Sequence, residues 1–421
     1  MLCGIDSSQV ALTPEVVEQQ LTLASEQLAL DGKRVLVIIP DGTRTAPIPL
    51  LFRLLATTIG AHAAALDYLI ALGTHPPMSE GAIAHLVGLT ASERVAQYPK
   101  SQIFNHAWDD PAQLQTIGVI PRDEADALTN GLLAADVPVT LNKLILEYDQ
   151  LIICGPVFPH EVAGFSGGAK YLFPGIAGPD IINFTHWLGA LVTSMHTIGV
   201  KDTPVRRIIH RGAEFVPRPL VCIALVMQGS ELRGMHIGAH QEAFEAAADL
   251  SGQLNITWFE RPFQRVLSCP APQYDDLWTA AKAMYKTEPV IADGGEVIIY
   301  APHITEVSVT HGQLIDQVGY HVRDYFLKQW ARFEDIPGSI LAHSTHVKGM
   351  GSFDAESGVE TPRIHVTLAT GISEERCRRI NLGYADYRTI DPATWANREA
   401  DGVLYVPHAG EVLYRLRGVA T

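Results

Sequence analysis

The sequence has few cysteines, and no two of them stand at close spacing. Only five occur among 421 residues, at positions 3, 154, 222, 269 and 377, and none belongs to a Cys-X-X-Cys pair. An odd and scattered set is not a disulfide framework and offers no cysteine-ligated zinc site. We therefore expect a protein of the reducing cytoplasm.

Long apolar runs and a leader-like start are also lacking. No run approaches the ~18 apolar residues of a membrane-spanning helix. The start, MLCGIDSSQVALTPEVV, lacks the charged-then-apolar pattern of a signal peptide. The longest apolar stretches, VLVIIP and LIICGPVF, are short and rich in β-branched residues, which is typical of buried strands. Neither export nor a membrane partner is expected.

Positive charge is scarce, since 31 Lys and Arg residues face 46 Asp and Glu residues for a net charge of −15. Nucleic acids and acidic membranes attract basic surfaces, so neither is an expected partner. A hydrophobic content of 47% with 18% charged residues is typical of a folded enzyme and excludes a disordered chain. The length predicts two domains.

Short apolar runs alternate with helix-like segments along the chain. Strands are predicted at 34–41, 65–75 and 150–160, and each leads into a loop. This alternation predicts an α/β fold with mostly parallel sheets. Ligands collect beyond the carboxyl ends of such strands. The residues just past these ends are Asp41, Arg44, His75 and His160.

A second α/β domain is predicted to begin near residue 270. The boundary, within 265–275, rests on a Cys-Pro-Ala-Pro turn cluster. Later strands are predicted in DGGEVIIYAPH, GSILAHSTH, RIHVTLATG and GVLYVPHAG. We predict domains at 1–269 and 270–399, with segment 400–421 returning to the first. The active site is expected in the cleft between the two domains.

The stretch PHEVAGFSGGAK at 159–170 joins a histidine, a glycine run and a lysine. It is not a Walker loop, because Tyr171 follows the lysine where that motif requires Ser or Thr. Glycine N–H groups can still bind a phosphate or carboxylate. From the residues alone, a plain turn, a phosphate loop, a Schiff-base lysine and an anchored cofactor all remain open.

Other charged positions also allow two interpretations. Most of the 17 histidines are expected to be packed or exposed, but context singles out His75, His160 and His186. Without an HExxH motif, a zinc hydrolase is disfavoured. Asp41 and Arg44 fit either a capped turn or an anion-binding site. Lys282 fits either an exposed helix face or a substrate contact.

Five segments in order resemble the lactate racemase family. They are PDGTRTAP, LGTHPPMSE, PHEVAGFSGGAKYLFPGIAG, NFTHW and DLWTAAKAM, within about residues 36–300. The glycine block followed by His186 is the specific part of the match. The resemblance implies the nickel-pincer nucleotide as cofactor, and the enzymes that synthesise this cofactor as partners in maturation.

The resemblance also implies a role for each matching residue. The implied roles are acid/base catalysis by His75 and His160; cofactor binding by Lys170, Asp41, Ser166, Gly167 and Gly168; nickel ligation by His186; and substrate binding by Arg44, Lys282, Trp278, Thr279 and Trp330. The reaction implied is racemisation or epimerisation of a small 2-hydroxy acid. Reversible hydride transfer from C2 to the cofactor pyridinium would give a 2-keto acid intermediate.

The chain departs from the family pattern at two pocket positions. Trp278 and Thr279 stand where lactate racemases carry Tyr and Gln, so lactate itself is not implied as the substrate. Two alternatives stay open, a sugar-acid 2-epimerase with the same cofactor and a cofactor-binding protein without turnover. The pair of acid/base histidines argues against the second, because binding alone does not need proton transfer.

Overall fold

The computed structural model describes residues 1–418. These residues form two compact units, each made of several chain segments. The first unit consists of Met1–Phe158, Phe165–Ile182 and Arg206–Leu254. The second consists of Pro159–Gly164, Asn183–Val205 and the chain from Asn255 onward. The predicted domain limits and the predicted cleft stay predictions, and the last three residues of segment 400–421 lie outside the described residues.

The first unit is built on a seven-stranded sheet. In spatial order its strands are Cys3–Asp6, Glu231–Gly238, Leu220–Gln228, Gln150–Pro156, Arg34–Pro40, Ala65–Ala71 and Ile103–Asn105. The last five run parallel to one another, and the first two pair antiparallel. A separate antiparallel hairpin joins Leu114–Ile120 to Val137–Asn142. The strands predicted at 34–41, 65–75 and 150–160 are therefore present.

Helices of the first unit cover the sheet with their apolar faces. Val17, Leu21 and Ala24 of the first helix are buried in the same core as Val35 and Val37 of a central strand. Ser79 accepts a hydrogen bond from the Ala82 N–H and so caps one helix, because the first N–H groups of a helix lack intrahelical acceptors. The helices are Pro14–Leu28, Ile48–Thr58, Glu80–Val87, Ala91–Gln97, Arg122–Leu128 and His240–Leu254. Pro179–Val192 and Pro204–Ala213 contribute residues to both units.

The second unit contains a five-stranded sheet in which every neighbouring pair is parallel. In spatial order its strands are Gly383–Tyr384, His365–Thr370, Ile291–Ala301, Phe263–Pro270 and Val403–Ala409. Two-stranded sheets join Ile256–Phe259 to Leu413–Leu416 and Gly351–Asp354 to Val359–Pro362. The helices are Ser194–Thr197, Leu277–Ala280, Lys282–Tyr285, Gly312–Val318, Arg323–Leu327, Gly338–Lys348 and Glu374–Arg379. Both units thus confirm the predicted α/β class with mostly parallel sheets.

One predicted strand is wrong. GSILAHSTH is the beginning of the helix Gly338–Lys348, in which every residue from Ser339 to Val347 is buried. A helix buried on all sides has no polar face, so its sequence lacks the helical period that would identify it. Among residues 1–418, no helix combines the length and apolarity needed to cross a membrane.

Candidate functional site

His75 and Asp41 form an imidazole–carboxylate pair at the ends of adjacent parallel strands. His75 Nδ1 lies 2.5 Å from Asp41 Oδ2. The other carboxylate oxygen, Oδ1, accepts the Thr43 N–H at 3.1 Å and the Thr43 hydroxyl at 2.6 Å. Burial opposes ionisation of Asp41, but His75, Arg44 and Thr43 outweigh it and hold the pKa of this carboxyl well below its usual range. Asp41 is therefore an ionised acceptor that fixes the orientation of the His75 ring.

Arg44 belongs to the same group of side chains. Its guanidinium donates to the Thr43 hydroxyl at 2.6 Å and lies 5.8 Å from the centre of the Phe158 ring. The strand Arg34–Pro40 ends one residue before Asp41, so the turn that follows it presents both Asp41 and Arg44. The sequence left open a capped turn or an anion-binding site at these residues. Both descriptions apply, because Asp41 stabilises the turn and Arg44 is a cation able to bind an anion.

The glycine run forms a close turn in which a side chain has no room. Gly167 has φ +83°, and a Cβ there would come within 2.5 Å of Val157 Cγ2. Gly168 has φ +59° and lies against Phe244. The Ser166 hydroxyl donates to the Pro156 carbonyl at 3.0 Å and accepts the Phe158 N–H at 3.1 Å. The turn thus requires glycine, and Lys170 follows it in a short 3₁₀ helix, partly exposed.

A buried arginine donates hydrogen bonds to the backbone of this turn. Arg206, which is 2% exposed, donates to the carbonyls of Phe165 and Gly167. Its guanidinium also lies 4.0 Å from the centre of the Phe244 ring. Burial lowers the pKa of Arg206 to about 9, so the side chain is still a cation at neutral pH. Since these carbonyls are bound by Arg206, the backbone of the turn has a fixed orientation.

In the second unit, His160 faces the carboxylate of the next residue. His160 Nδ1 lies 3.3 Å from Glu161 Oε2, and the same nitrogen accepts the Val162 N–H at 3.1 Å. His160 is 5% exposed. Like His75, it therefore has its Nδ1 atom engaged by neighbouring groups.

An aromatic and imidazole cluster lies in the same unit. The Trp278 ring packs against His343 and His311, with ring centres 4.1 and 4.7 Å away. His343 Nε2 is 3.1 Å from the Tyr320 hydroxyl. Burial lowers the pKa of His343 well below its usual value, and His346, His311, His186 and Lys282 lower it further. His343 is therefore a neutral ring within electrostatic range of His186 and Lys282.

Thr279 and Lys282 lie on the turns that carry Trp278. The Thr279 hydroxyl donates to Asp276, which caps this short helix. Lys282 is 5% exposed, and its ammonium lies 3.4 Å from the Thr279 carbonyl and 4.5 Å from the centre of the Tyr274 ring. Lys282 is thus buried and not on a solvated helix face.

Trp330 stacks on the residue that follows His186 in the chain. His186 lies on the helix Pro179–Val192 next to Trp187, whose ring stacks on Trp330 at 5.6 Å. Within residues 1–418, no group of three His, Cys, Asp or Glu side chains could hold a metal ion.

The two units divide the predicted site residues between them. Those of the first unit are Asp41, Arg44, His75, Ser166, Gly167, Gly168 and Lys170. Those of the second are His160, His186, Trp278, Thr279, Lys282 and Trp330. Each unit thus carries one of the two histidines predicted to act as acid and base.

Comparisons with known proteins agree with the motifs. The family model "Lactate racemase N-terminal domain" matches residues 14–199. A lactate racemase of Thermoanaerobacterium thermosaccharolyticum is 24% identical over 308 residues, 70% of this chain. One of Lactiplantibacillus plantarum is 24% identical over 283 residues, 66% of this chain. These matches support the predicted lactate racemase family.

Both relatives are named lactate racemase, which agrees with the predicted family and enzyme class. The matched segments span 66% and 62% of these two relatives, less than two thirds of their length. A crystal structure of a Thermotoga maritima protein is 31% identical, with a TM-score of 0.88 over 98% of this chain and 100% of that one. The lactate racemase apoprotein of T. thermosaccharolyticum shares the fold, with 20% identity and a TM-score of 0.69 over 94% of this chain and 88% of that one.

Several residues around the site were not predicted from the sequence. They are Thr43, Glu161, Arg206, His311, Tyr320 and His343. Glu161 follows His160 directly in the motif PHEVAGFSGGAK, so the sequence could have indicated a carboxylate next to this histidine. Arg206 acts on carbonyls about 40 residues away in the chain, and no local pattern indicates such a contact.

Proposed function

We propose that this protein is a racemase or epimerase of 2-hydroxy acids that uses the nickel-pincer nucleotide. The observation that carries the proposal is that each of two histidines has a carboxylate oxygen near its Nδ1 atom. The distance is 2.5 Å from His75 to Asp41 and 3.3 Å from His160 to Glu161. A reaction that runs from either enantiomer needs one base for each. A carboxylate beside Nδ1 orients each ring.

Each histidine would act on the substrate hydroxyl. The Nε2 atom of one ring takes the hydroxyl proton as C2 becomes planar, and the other ring returns a proton when the opposite face is reduced. Arg44 and Lys282 bind the carboxylate and the oxygen at C2, because both are cations held by neighbouring groups. When bound, the cofactor supplies a hydride acceptor for the hydrogen on C2.

The residues at the glycine turn fit a nucleotide cofactor. A Cβ at Gly167 would fill space that the turn needs, and a backbone of this kind offers N–H groups to a phosphate. Lys170, at the end of the turn, would anchor the cofactor, with Asp41 and Ser166 beside it. His186 would be the protein ligand of nickel, since imidazole is a common ligand of this metal. The cofactor-synthesis enzymes would then be partners during maturation.

The substrate would be a small 2-hydroxy acid related to lactate. Trp278, Thr279 and Trp330 would line its pocket. We place the enzyme in the cytoplasm, which is supported by five free cysteines, three of them buried, since reducing compartments keep thiols free.

A second candidate, epimerisation of a longer sugar acid, is favoured by the cluster around Trp278. His311, His343 and Tyr320 bring imidazole and hydroxyl groups to the indole ring. Such groups can form hydrogen bonds with substrate hydroxyls beyond C2. The same catalytic machinery would serve both candidates.

The test uses protein co-expressed with the cofactor-synthesis enzymes. Single enantiomers of lactate, 2-hydroxybutyrate, malate, 2-hydroxyglutarate, phenyllactate and gluconate are supplied, and inversion at C2 is followed by chiral chromatography. We expect inversion of at least one acid, with losses of about 10²-fold or more in His75→Ala and His160→Ala. His62→Ala is the matched control, because the His62 side chain is 68% exposed.

The outcome separates the candidates. Inversion of gluconate alone identifies the sugar-acid epimerase. Nickel-loaded protein that inverts none of the acids contradicts the proposed racemase activity on this panel. Inversion that survives both histidine substitutions contradicts the assigned acid and base.

A further inference from the structure

His160 lies on a six-residue segment of the second unit, Pro159–Gly164. Its side chain is 5% exposed, and its Nδ1 atom accepts the Val162 N–H at 3.1 Å. The direction of the ring depends on its rotation about the side-chain bonds and on the orientation of the backbone that carries it. The bond from Val162 restrains the rotation, so the backbone orientation needs a restraint of its own.

A buried lysine binds the backbone where this segment begins. The Lys286 ammonium donates to the Pro159 carbonyl and, at 2.9 Å, to the Glu411 carbonyl. Lys286 is 1% exposed. A buried ammonium needs hydrogen bonds to replace those of the water it has lost. The two carbonyls supply such bonds, and one of them belongs to the residue before His160.

The Pro159 carbonyl is part of the peptide bond that joins Pro159 to His160. A peptide group is planar, so this oxygen and the Cα atom of His160 lie in one plane. A hydrogen bond to the oxygen therefore restrains the plane from which the His160 side chain projects. The restraint comes from a side chain 127 residues later in the sequence.

The other end of the segment is restrained with the help of a second buried cation. The Gly199 N–H donates to the Gly164 carbonyl at 2.8 Å. Arg415, which is 6% exposed, donates to the carbonyl of Ile198, the residue before Gly199. The segment that carries His160 is thus bound at both ends, and Lys286 binds the end next to this histidine.

The backbone of Lys286 has partners of its own. Its N–H donates to the Lys282 carbonyl at 3.2 Å, and its carbonyl accepts the Tyr414 N–H at 2.9 Å. A substitution of the side chain removes neither of these backbone groups. The turn that carries Lys282 should therefore keep its shape when only the ammonium of Lys286 is lost.

We propose that Lys286 is a positioning residue for His160, because its ammonium fixes the peptide plane from which this histidine projects towards the substrate hydroxyl. Lys286 acts through the backbone and is assigned no contact with the substrate. This inference rests on the proposed racemase function, in which His160 is an acid/base group. Loss of the ammonium should lower kcat, whereas KM depends on Arg44 and Lys282 and should change little.

The first experiment observes His160 by NMR in cofactor-free protein and does not depend on turnover. Full-length protein is labelled with ¹³C in the histidine rings, and two signals are assigned by their loss in His160→Ala and His75→Ala. We expect Lys286→Met to shift the His160 signal and to leave the His75 signal unchanged. An unchanged His160 signal in folded Lys286→Met overturns the proposal. An equal shift at His75 indicates a structural role and also overturns it.

Three further variants complete this experiment. The side chain of Lys286→Gln is one bond shorter, so its donor should fall short of the Pro159 carbonyl and the His160 signal should shift. This variant decides the outcome if Lys286→Met does not fold. Lys286→Arg keeps a cationic donor and should bring the His160 signal back towards its wild-type position. Lys348→Met is the matched control, because the Lys348 ammonium donates to the Asn381 carbonyl at 2.6 Å, outside the His160 segment.

The second experiment measures steady-state inversion by cofactor-loaded enzyme. We expect kcat of Lys286→Met to fall by about 10²-fold, the effect of a small misplacement of a reacting group, with little change in KM. Lys286→Arg should recover most of the loss. A KM that rises as kcat falls, or an unchanged kcat where the His160 signal has moved, overturns the proposal. If wild-type enzyme inverts no acid, the proposed function fails, whereas the NMR result still decides whether Lys286 positions His160.

Discussion

At the scale of single residues, the two carboxylate oxygens of Asp41 have different partners, and this difference sets the protonation of His75. Oδ1 accepts both hydrogen bonds from Thr43, which leaves Oδ2 for His75. A carboxylate can accept at both atoms, but an amide cannot. The orientation of residue 41 therefore decides which nitrogen of His75 carries the proton.

Asp41→Asn should invert the His75 tautomer. Thr43 requires an oxygen at its position, so the amide nitrogen of Asn would face His75 Nδ1 and donate to it. The His75 proton then lies on Nε2, and the ring can no longer act as a base. We expect kcat to fall by about 10³-fold with little change in folding. Chiral turnover and thermal midpoints measure the two effects.

Thr43→Val is the companion variant. It removes the hydroxyl donor but keeps the Thr43 N–H bond to Oδ1, so His75 should keep its tautomer. A loss of no more than about 10²-fold is expected, because a hydrogen bond to a charged group contributes roughly 1.5–3 kcal/mol. A loss as large as that of Asp41→Asn would contradict the tautomer explanation.

At the scale of elements, the glycine turn depends on a helix that follows it in the chain. Arg206 on Pro204–Ala213 binds the carbonyls of Phe165 and Gly167. Arg206→Met leaves both carbonyls without this donor, at a cost on the order of 3 kcal/mol for buried groups. We expect a lower thermal midpoint and, after co-expression with the cofactor-synthesis enzymes, little bound nickel by mass spectrometry.

The neighbouring residue offers a matched control. Arg207 is on the same helix, and its guanidinium donates to Asn130 Oδ1 at an exposed site. Arg207→Met should keep both the thermal midpoint and the nickel content. Normal nickel content in a stable Arg206→Met protein would show that the turn does not need Arg206 to bind the cofactor.

Elements also show how far the sequence predicts the structure. Strands such as Arg34–Pro40 are predictable because a short β-branched run between turns has few alternatives. The same reasoning fails for Gly338–Lys348, since burial on every side removes the helical period. His343 was therefore assigned to a strand, and its contact with Trp278 could not be anticipated.

The candidate site could be proposed from the sequence to a similar extent, and its residue roles stay predictions. Motif order indicated His75, His160 and Lys170, because each lies within a distinctive local sequence. The contacts that set their chemistry depend on side-chain orientation and distant partners. The Thr279 hydroxyl, for example, donates to Asp276 of the same turn, which the spacing of these residues does not reveal.

At the scale of the whole molecule, buried histidines should make the protein sensitive to mild acid. Burial is the main cause of a lowered pKa at His106, His236, His240, His343 and His346. Below their ordinary pKa of about 6.5, the unfolded chain binds protons that the folded chain does not. The free energy of unfolding therefore falls as the pH drops through this window.

Two carboxyl groups with shifted pKa values also bear on this pH dependence. Burial raises the pKa of Glu288, which makes the folded state bind a proton more readily and stabilises it as the pH falls. Glu288 therefore works against the five buried histidines named above. The lowered pKa of Asp41 contributes stability that is lost only below its ordinary value of about 3.9, at a more acidic pH.

His106 allows the effect to be measured at one residue. Its pKa is lowered to about 4, and its ring contacts the Ala177 carbonyl and Asn142. His106→Gln cannot take up a proton, so the difference in stability between pH 7 and 5 should shrink by about 2 kcal/mol. Urea unfolding of the cofactor-free protein at a series of pH values gives this difference. His62→Gln, at a 68% exposed side chain, should leave the pH dependence unchanged. An unchanged slope in His106→Gln would mean that this ring is protonated in the folded protein.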